Sequence, residues 1–316
     1  MKIVIMDKLT TSSTGDIDFR AFYQLGVVEE YDNIYDDVPQ ILAVAQGADA
    51  LVINKVRLTQ QVIEQLPDSV KIIAISATGY DNIDIAAATR RGIKVANVPG
   101  YGTNAVAQLV IHLMLSCATQ FTQQLAYMRS SGWDKLAGLA IPMHELAGKT
   151  IGVVGMGAIG QKITQLAQAF DMQVVAYNRT QHPINGVEYL SLLELAQRSD
   201  FVSLSCALND TTRYMINSQF FAHMKPSAYL INTARGGLVD EDALIQALER
   251  KQLAGAGLDV LLNEPPRADN PLLSMSNVIL TPHIGWAPIE ARQRCLDITC
   301  TNIAQFMNGH AQNLVN

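Results

Sequence analysis

One run of six residues limits the fold of this chain more than any other feature. It reads Gly155-Met156-Gly157-Ala158-Ile159-Gly160, follows the apolar run 150–155 and precedes a segment, 161–170, with helical spacing of apolar residues. In such a strand–turn–helix the first glycine allows a tight turn, the second lets backbone approach a pyrophosphate, and the third lets helix and strand pack closely. Amides at the helix N-terminus bind phosphate. The run therefore predicts a dinucleotide-binding unit, in which these residues contact the cofactor, rather than an ordinary turn that happens to contain three glycines.

Short β-branched runs alternate with helical segments along most of the chain, in two series. The runs of the first series are 2–6, 50–53, 71–75 and 94–96, and those of the second are 150–155, 173–177, 201–205, 228–231, 255–261 and 278–280. Runs that are apolar on both faces and alternate with helices are typical of a parallel sheet covered by helices. The pattern predicts an α/β chain with two doubly wound parallel-sheet domains, Rossmann-like or flavodoxin-like.

Two joints separate the series. Pro and Gly cluster at residues 98–102, before a long apolar helix expected over 104–128, and a second joint is expected at 285–288, before a final helix over 289–307. Because that helix follows the end of the second series, we expect it to return to the first domain. The domains are therefore expected to be 1–100 plus 288–316, for substrate binding, and 101–287, an inserted dinucleotide-binding domain.

Composition excludes several classes of protein. The 316 residues are 49% hydrophobic and 16% charged, with a net charge of −6, which excludes a fibrous or disordered chain. Without a basic run, neither nucleic acid nor an anionic membrane is an expected partner. The apolar N-terminal run is too short for a signal peptide, and four cysteines without a CxxC pair favour the cytoplasm. No metal-ligand spacing is present, so no metal is expected.

Three polar residues follow three consecutive strands of the second series. They are Arg235, Glu264 and His283. In an open parallel sheet the ligand lies beyond the carboxyl ends of the strands, so the three side chains are expected to converge on one crevice. Taken singly, each residue has a structural interpretation that is as good as a catalytic one: Arg235 as a surface cation, Glu264 as a loop acid and His283 as a capped loop imidazole. Together, downstream of a dinucleotide motif, they predict a catalytic group.

The end of the strand at 173–177 bears on the choice of cofactor. It leads into Asn178, Arg179 and Thr180, whereas the acid that binds the adenosine ribose hydroxyls usually stands about 20 residues after the first glycine. A neutral Asn beside a cation and a hydroxyl tolerates or attracts a 2′-phosphate. NADP is therefore favoured over NAD, unless Arg179 is a solvated surface residue.

The chain resembles the D-isomer-specific 2-hydroxyacid dehydrogenases along essentially its whole length. The blocks that carry the resemblance are ATGYDNIDI (77–85), NVPGYGTNAVAQ (97–108), GMGAIG (155–160), INTARGGLVDEDAL (231–244), GAGLDVLLNEPP (255–266) and LTPHIGWAPIEAR (280–292). HIGWA and the segment 127–133 are most similar to the glycerate dehydrogenase, or hydroxypyruvate reductase, branch. The resemblance implies two Rossmann-like domains with the cofactor domain inserted.

The resemblance also implies roles for the three polar residues. Arg235 binds the substrate carboxylate and polarises the carbonyl, while Glu264 pairs with His283, which donates a proton as hydride arrives from NAD(P)H. The chemistry is coherent, because a guanidinium suits a carboxylate and a neighbouring acid stabilises a protonated imidazole.

Other positions carry over with less support. Thr103 corresponds to a contact with the cofactor phosphate and Asp259 to one near the nicotinamide carboxamide, and Lys55 is either a substrate ligand or a solvated loop lysine. The remaining expected contacts are Thr78 and Gly79 for the substrate and Cys206, Thr233 and Ala234 for the cofactor. Two departures put the cofactor preference in doubt: Gln108 stands where the family often has Glu, and Ser205-Cys206-Ala207 where it often has His-Cys-Pro.

The leading hypothesis is a dehydrogenase for a small 2-keto acid, such as hydroxypyruvate or glyoxylate. The alternative is a dinucleotide-sensing binding protein, as in a corepressor branch of the family. An L-specific dehydrogenase is disfavoured because its glycine motif normally lies near the N-terminus. We also expect a homodimer, because residues 104–128 and 133–146 offer more apolar surface than one small domain covers.

Overall fold

The computed structural model describes residues 1–34 and 37–316, and the chain divides into two units. Unit 1 comprises Met1–Gly102 and Ala287–Asn316, and unit 2 comprises Thr103–Trp286. Unit 2 is therefore inserted into unit 1 along the sequence. The boundaries predicted from the sequence lie after residues 100 and 287, while the division in the structure falls after Gly102 and Trp286.

The chain forms strands and helices in regular alternation. The strands are β1 (Lys2–Ile5), β2 (Val27–Glu30), β3 (Ala50–Ile53), β4 (Ile72–Ile75), β5 (Lys94–Ala96), β6 (Thr150–Val154), β7 (Gln173–Tyr177), β8 (Val187–Tyr189), β9 (Phe201–Leu204), β10 (Tyr229–Asn232), β11 (Gly255–Leu258) and β12 (Val278–Leu280). The helices are α1 (Arg20–Tyr23), α2 (Val38–Val44), α3 (Gln60–Gln65), α4 (Ile85–Arg90), α5 (Thr103–Ala118), α6 (Phe121–Ser131), α7 (Lys135–Leu139), α8 (Ala158–Ala169), α9 (Leu192–Arg198), α10 (Ser218–His223), α11 (Glu241–Glu249) and α12 (Ile289–Met307). Short 3₁₀ segments lie at Lys8–Thr10, Gly236–Leu238 and Pro271–Leu273.

Both sheets are parallel and doubly wound, so the predicted fold class is confirmed. In unit 1 the strand order is β2-β1-β3-β4-β5, and α12 packs on this sheet through Leu296, Cys300 and Ile303. In unit 2 the order is β12-β11-β10-β9-β6-β7-β8. In each sheet the strands are added first on one side and then on the other. The switch point lies between β1 and β3 in unit 1 and between β6 and β9 in unit 2, and sheets of this type bind ligands at the switch point.

Local sequence explains where several helices begin. Asp37, Asp84 and Asp240 each accept a hydrogen bond from a main-chain N–H in the first turn of the helix that follows. Ser191 and Glu194 form a reciprocal capping box at the start of α9. These caps satisfy N–H groups that have no partner within the helix.

The expected long helix over 104–128 is wrong, because the chain breaks into α5 and α6. Gln120 adopts a left-handed backbone, with φ of 50°, and its side-chain amide donates to Cys117 O and to Tyr229 Oη at 2.8 and 2.9 Å. These bonds cap α5 and tie its end to the sheet, which local helical spacing does not reveal.

Several other sequence-based bounds also need correction. β11 ends at Leu258 instead of 261, and α8 begins at Ala158 instead of 161. The edge strands β2 and β8 were not predicted. Both are only partly buried, so they lack the apolar runs by which the inner strands are identified.

A helix that spans a membrane must be both long enough and apolar enough. Within residues 1–34 and 37–316, no single helix meets both requirements. The bent pair α5 and α6, at 56° to each other, meets them together by length and composition only, and most of α5 is buried in the core.

Candidate active site

Five strands of unit 2 end in one row, which defines the edge where the site lies. In this row Val154, Leu204, Asn232, Leu258 and Leu280 are paired across the sheet. The residue that follows each of these strand ends therefore begins a loop, and all five loops lie at the same carboxyl edge of the sheet. The loops after β10, β11 and β12 carry Arg235, Glu264 and His283. Register thus brings the three loops together, as the sequence predicts for ligand-binding edges.

His283 and Glu264 form a direct pair. His283 Nδ1 lies 2.6 Å from Glu264 Oε2, and the other carboxylate oxygen accepts from Leu261 N–H at 3.1 Å. Because an ionised carboxylate can only accept, Nδ1 carries the proton and Nε2 is the atom left for a substrate. Both side chains are about one-third exposed, at 30% and 37%, so the pair is accessible.

Hydrogen bonds to the carboxylate of Asp259 hold the turn that carries His283. This carboxylate is buried and accepts from Thr281 Oγ1 at 2.6 Å and from Ile284 and Gly285 N–H at 2.8 Å each. His283 itself adopts φ of 54°, a left-handed conformation that costs about 1–2 kcal/mol for a residue with a side chain. The surrounding hydrogen bonds therefore maintain a strained backbone at the proposed proton donor.

Arg235 lies beside the loop that carries Glu264. It precedes Gly236, at which a Cβ atom would collide with the main chain of Leu261, the residue whose N–H binds Glu264. The guanidinium is half-buried and donates through Nη1 to Ala234 O at 2.8 Å. That bond fixes one side of the planar group, and the other N–H donors have no hydrogen-bond partner among residues 1–34 and 37–316, so they are left for an anion.

The glycine turn of unit 2 has the shape that a dinucleotide requires. Gly155 adopts φ of 102°, and a Cβ there would lie 2.5 Å from Cys206 N. A Cβ at Gly160 would collide with Gly155 O, whereas one at Gly157 would meet no protein atom within 4 Å. Gly157 is the N-cap of α8 and makes no side-chain hydrogen bond to the first turn, so no capping side chain occupies the N-terminus of this helix. A pyrophosphate fits this cradle.

We expect Gly157→Ala to weaken cofactor binding without loss of stability. The added methyl group meets no protein atom but occupies the space through which a pyrophosphate approaches the backbone, so Kd should rise at least about tenfold. Nicotinamide fluorescence titration measures Kd, and a thermal melt measures stability. Gly138→Ala, in α7, is the comparison, because the backbone there is not left-handed and the added Cβ makes only an ordinary contact with Gln124 at 3.7 Å. An unchanged Kd in Gly157→Ala would contradict this assignment.

The loop after β7 joins the glycine turn to the predicted adenosine site. Asn178 Oδ1 accepts from Met156 N–H at 3.1 Å, and its amide donates to Thr180 O. Arg179 is exposed and has no hydrogen-bond partner among the described residues. Asn178 thus orders the loop, and Arg179 remains available for an anion.

The other predicted cofactor contacts occupy the same edge. Thr233 follows β10, and its buried hydroxyl has no hydrogen-bond partner in the described part of the chain, which fits a polar ligand. Cys206 lies against Gly155 with its main chain, while burial raises the pKa of its thiol to about 11, so it is not a reactive thiolate. Thr103 begins α5, whose first half approaches Gly285 through Val106 and Leu109.

Lys55, Thr78 and Gly79, the predicted substrate contacts, lie in unit 1. Lys55 follows β3, and Thr78 and Gly79 follow β4, so they occupy the carboxyl edge of the five-stranded sheet. Asp7 is buried and accepts from the N–H groups of Asn54, Lys55 and Val56 at 2.5–3.1 Å. The Thr78 hydroxyl donates to Val98 O at 2.7 Å.

Sequence reasoning missed the tasks of Asp7 and Asp259. The family resemblance places Asp259 near the nicotinamide carboxamide and does not reveal the hydrogen bonds by which its carboxylate holds the turn of His283. Asp259 directly follows β11 and Asp7 stands two residues after β1, and an acid at the end of a buried strand is the signal that could have identified them. Within residues 1–34 and 37–316, no group of three or more His, Cys, Asp or Glu residues could hold a metal ion.

Comparison with known proteins identifies a family and several relatives. The model of the D-isomer-specific 2-hydroxyacid dehydrogenase family, NAD-binding domain, matches residues 111–285. Hydroxypyruvate reductase of Blautia hydrogenotrophica is 36% identical over the full length of both chains. Glyoxylate reductase of Pyrococcus furiosus is 42% identical over 85% of this chain and 82% of that protein.

A solved structure extends the comparison to a bound cofactor. An acyclic imino acid reductase in complex with NADPH and D-Arg aligns over 100% of both chains with a TM-score of 0.89 and 30% identity. The glycine turn described above therefore lies in a protein whose relatives bind NAD(P), in agreement with the predicted cofactor class.

Proposed function

The chain belongs to the D-isomer-specific 2-hydroxyacid dehydrogenase family, and from this premise we propose that it reduces a small 2-keto acid, either hydroxypyruvate to D-glycerate or glyoxylate to the achiral glycolate. It is an NAD(P)-dependent oxidoreductase. The observation that carries the proposal is the 2.6 Å pair of His283 and Glu264 beside Arg235, at the edge that also holds the glycine turn. A carboxylate ligand, a proton donor and a dinucleotide site are the groups that this reduction needs.

Each residue has a defined task in the proposed mechanism. The cofactor, when bound at Gly155–Gly160, supplies the hydride. Arg235 binds the substrate carboxylate through its unused N–H donors and polarises the carbonyl, whose oxygen gains charge. His283 Nε2 donates a proton to that oxygen, and Glu264 stabilises the imidazolium and fixes the ring. Lys55 and the backbone of Thr78 and Gly79 are proposed as further contacts to the substrate.

A panel of 2-keto acids assayed with NADH and with NADPH tests the proposal. Hydroxypyruvate and glyoxylate should be reduced with the highest kcat/KM, and chiral analysis of the glycerate product should give the D isomer. Pyruvate and oxaloacetate are the comparison substrates. Binding of NAD(P)H without turnover on any keto acid would contradict the enzyme and support the dinucleotide-sensing alternative.

We propose that NADPH is preferred over NADH. Arg179 is exposed and unpartnered in the described structure, and the neutral Asn178 stands where an acid would repel a 2′-phosphate. A charge-assisted contact corresponds to about a tenfold to hundredfold preference, reduced by salt. A wild-type enzyme that used NADH at least tenfold better would contradict this proposal.

Two substitutions and one control locate the preference. We expect Asn178→Asp to move the kcat/KM ratio towards NADH, because the new carboxylate repels the phosphate and loses the amide donor to Thr180. Arg179→Ala should weaken NADPH more than NADH. Arg250→Ala removes an exposed arginine from the far end of α11 and should leave the ratio unchanged. Equal losses for both cofactors in Arg179→Ala would exclude a specific phosphate contact.

We also propose a homodimer formed through α6 and α7. α6 contains no buried residue, and Gln124 of α6 donates to Gly138 O of α7 at 3.1 Å, so the two helices lie side by side. Together with neighbouring loops they expose a set of large apolar side chains, namely Phe121, Leu125, Met128, Trp133, Leu136, Leu139 and Met143. A second copy of the chain can cover this surface, whose most exposed members reach 81% and 80%.

Light scattering should give twice the 34.4 kDa chain mass at micromolar concentration. We expect Leu136→Asp with Leu139→Asp to give the monomer, because charges at the covered surface oppose its burial. Leu273→Asp, at a comparably apolar exposed site of unit 2, should remain dimeric. A wild-type chain that scatters as a monomer would remove the proposal.

A further inference from the structure

Trp286 makes a hydrogen bond to the main chain of His283. Its indole Nε1–H donates to His283 O at 2.8 Å, and the side chain is half-buried. The donor and the acceptor are three residues apart, so the bond closes the turn Thr281–Trp286, which follows the end of β12. The mechanism proposed above uses neither the indole nor this carbonyl.

The other hydrogen bonds around His283 act on its neighbours or on its ring. Asp259 holds Thr281, Ile284 and Gly285, and Glu264 holds the imidazole. On the main chain of His283 itself, N–H donates to Thr281 O at 3.0 Å, and the carbonyl accepts from Trp286. The peptide group that joins His283 to Ile284 is therefore held at both of its polar atoms, by Asp259 at Ile284 N–H and by the indole of Trp286 at the His283 carbonyl.

This restraint matters because the left-handed backbone conformation of His283 is energetically unfavourable without it. A residue with a Cβ relaxes towards negative φ unless its surroundings prevent it, and that rotation would carry the imidazole away from Glu264. A tryptophan N–H that is partly buried has a strong preference for an acceptor, so the indole and the carbonyl stabilise each other.

We propose that Trp286 is a positioning residue that holds the strained backbone of His283, and thereby the His283–Glu264 pair, in the geometry for proton transfer. The proposal rests on the proposed function of His283 as proton donor. It assigns Trp286 no contact with substrate or cofactor. Its effect is expected in kcat, with KM and cofactor Kd unchanged.

Trp286→Phe tests the role because it keeps an aromatic ring and removes the donor. We expect kcat for keto-acid reduction to fall about 5- to 20-fold, with KM and cofactor Kd within about twofold of wild type. Incorporation of 3-benzothienylalanine at position 286 replaces N–H by sulfur in a ring system of nearly the same shape. It should give the same fall in kcat even if the phenylalanine variant is unstable.

The matched control is Tyr23→Phe, which removes an aromatic hydrogen-bond donor at an exposed site of unit 1, where the Tyr23 hydroxyl donates to Glu30. Its kcat should equal that of wild type. A proton NMR readout does not depend on turnover: the far-downfield resonance of the imidazole–carboxylate hydrogen bond should be present in wild type and Tyr23→Phe. It should broaden or disappear in both variants at position 286.

Three outcomes would overturn the proposal. They are an unchanged kcat and NMR resonance in both variants at position 286, a change in KM alone, and a loss of activity that follows the melting temperature with the resonance intact. If wild type reduces no keto acid but the resonance still depends on the indole N–H, the proposed function fails and the positioning role stands.

Discussion

Replacing His283 by Gln is expected to lower kcat for keto-acid reduction by about 10²- to 10⁴-fold, with cofactor Kd close to that of wild type. Gln can keep a hydrogen bond to Glu264 but has no acidic proton to give to the carbonyl oxygen. The glycine turn and the loop after β7 do not involve His283, so cofactor binding has no reason to change.

Stopped-flow single turnovers with deuterated NADPH would show that chemistry limits the rate. His310→Gln, an exposed histidine of unit 1, is the control and should keep wild-type kcat. Glu264→Gln should give an intermediate loss, because the imidazole remains but its orienting carboxylate is gone. More than about half of wild-type turnover in His283→Gln would show that another group donates the proton.

Arg235→Lys should raise KM for the keto acid and lower kcat together, with a combined loss of about tenfold to hundredfold in kcat/KM. Lysine keeps the charge but cannot donate to Ala234 O and also present a planar pair of donors to a carboxylate. The loss should appear with every keto acid of the panel, since all share the carboxylate.

Steady-state kinetics on the panel, together with a cofactor titration, separates substrate binding from cofactor binding. Arg250→Lys makes the same exchange at an exposed site and should leave both unchanged. An unaltered kcat/KM in Arg235→Lys would leave Arg235 only a structural role, through its place before Gly236 and against Leu261.

The two parallel sheets could be predicted from sequence because their inner strands are buried on both faces. Runs such as Ala50–Ile53 and Phe201–Leu204 have no alternation to confuse with other structures, and all of their residues are buried. The edge strands β2 and β8 and the break at Gln120 could not be predicted in this way. They depend on a half-exposed surface and on a bond to Tyr229, more than 100 residues away in the chain.

In the candidate site, too, some features could be predicted from the sequence and others could not. The positions of Arg235, Glu264 and His283 followed from counting strand ends, since parallel strands place their carboxyl ends at one edge. Strand positions do not show which side chains form hydrogen bonds with one another. The pairing of Glu264 with His283 came from family resemblance, and the bonds of Asp259, Asp7 and Trp286 became visible only in the structure.

By itself, the sequence determined the parallel architecture, the glycine turn and the set of polar residues at the strand ends. Each of these features follows from local hydrophobic periodicity or from the spacing of glycines. Tertiary structure alone decided the left-handed backbone of His283 and the buried carboxylate of Asp259 that holds its turn. The physical reason is that hydrogen-bond geometry and backbone strain are fixed by loops from different strands packing together, and their contacts are distant in sequence.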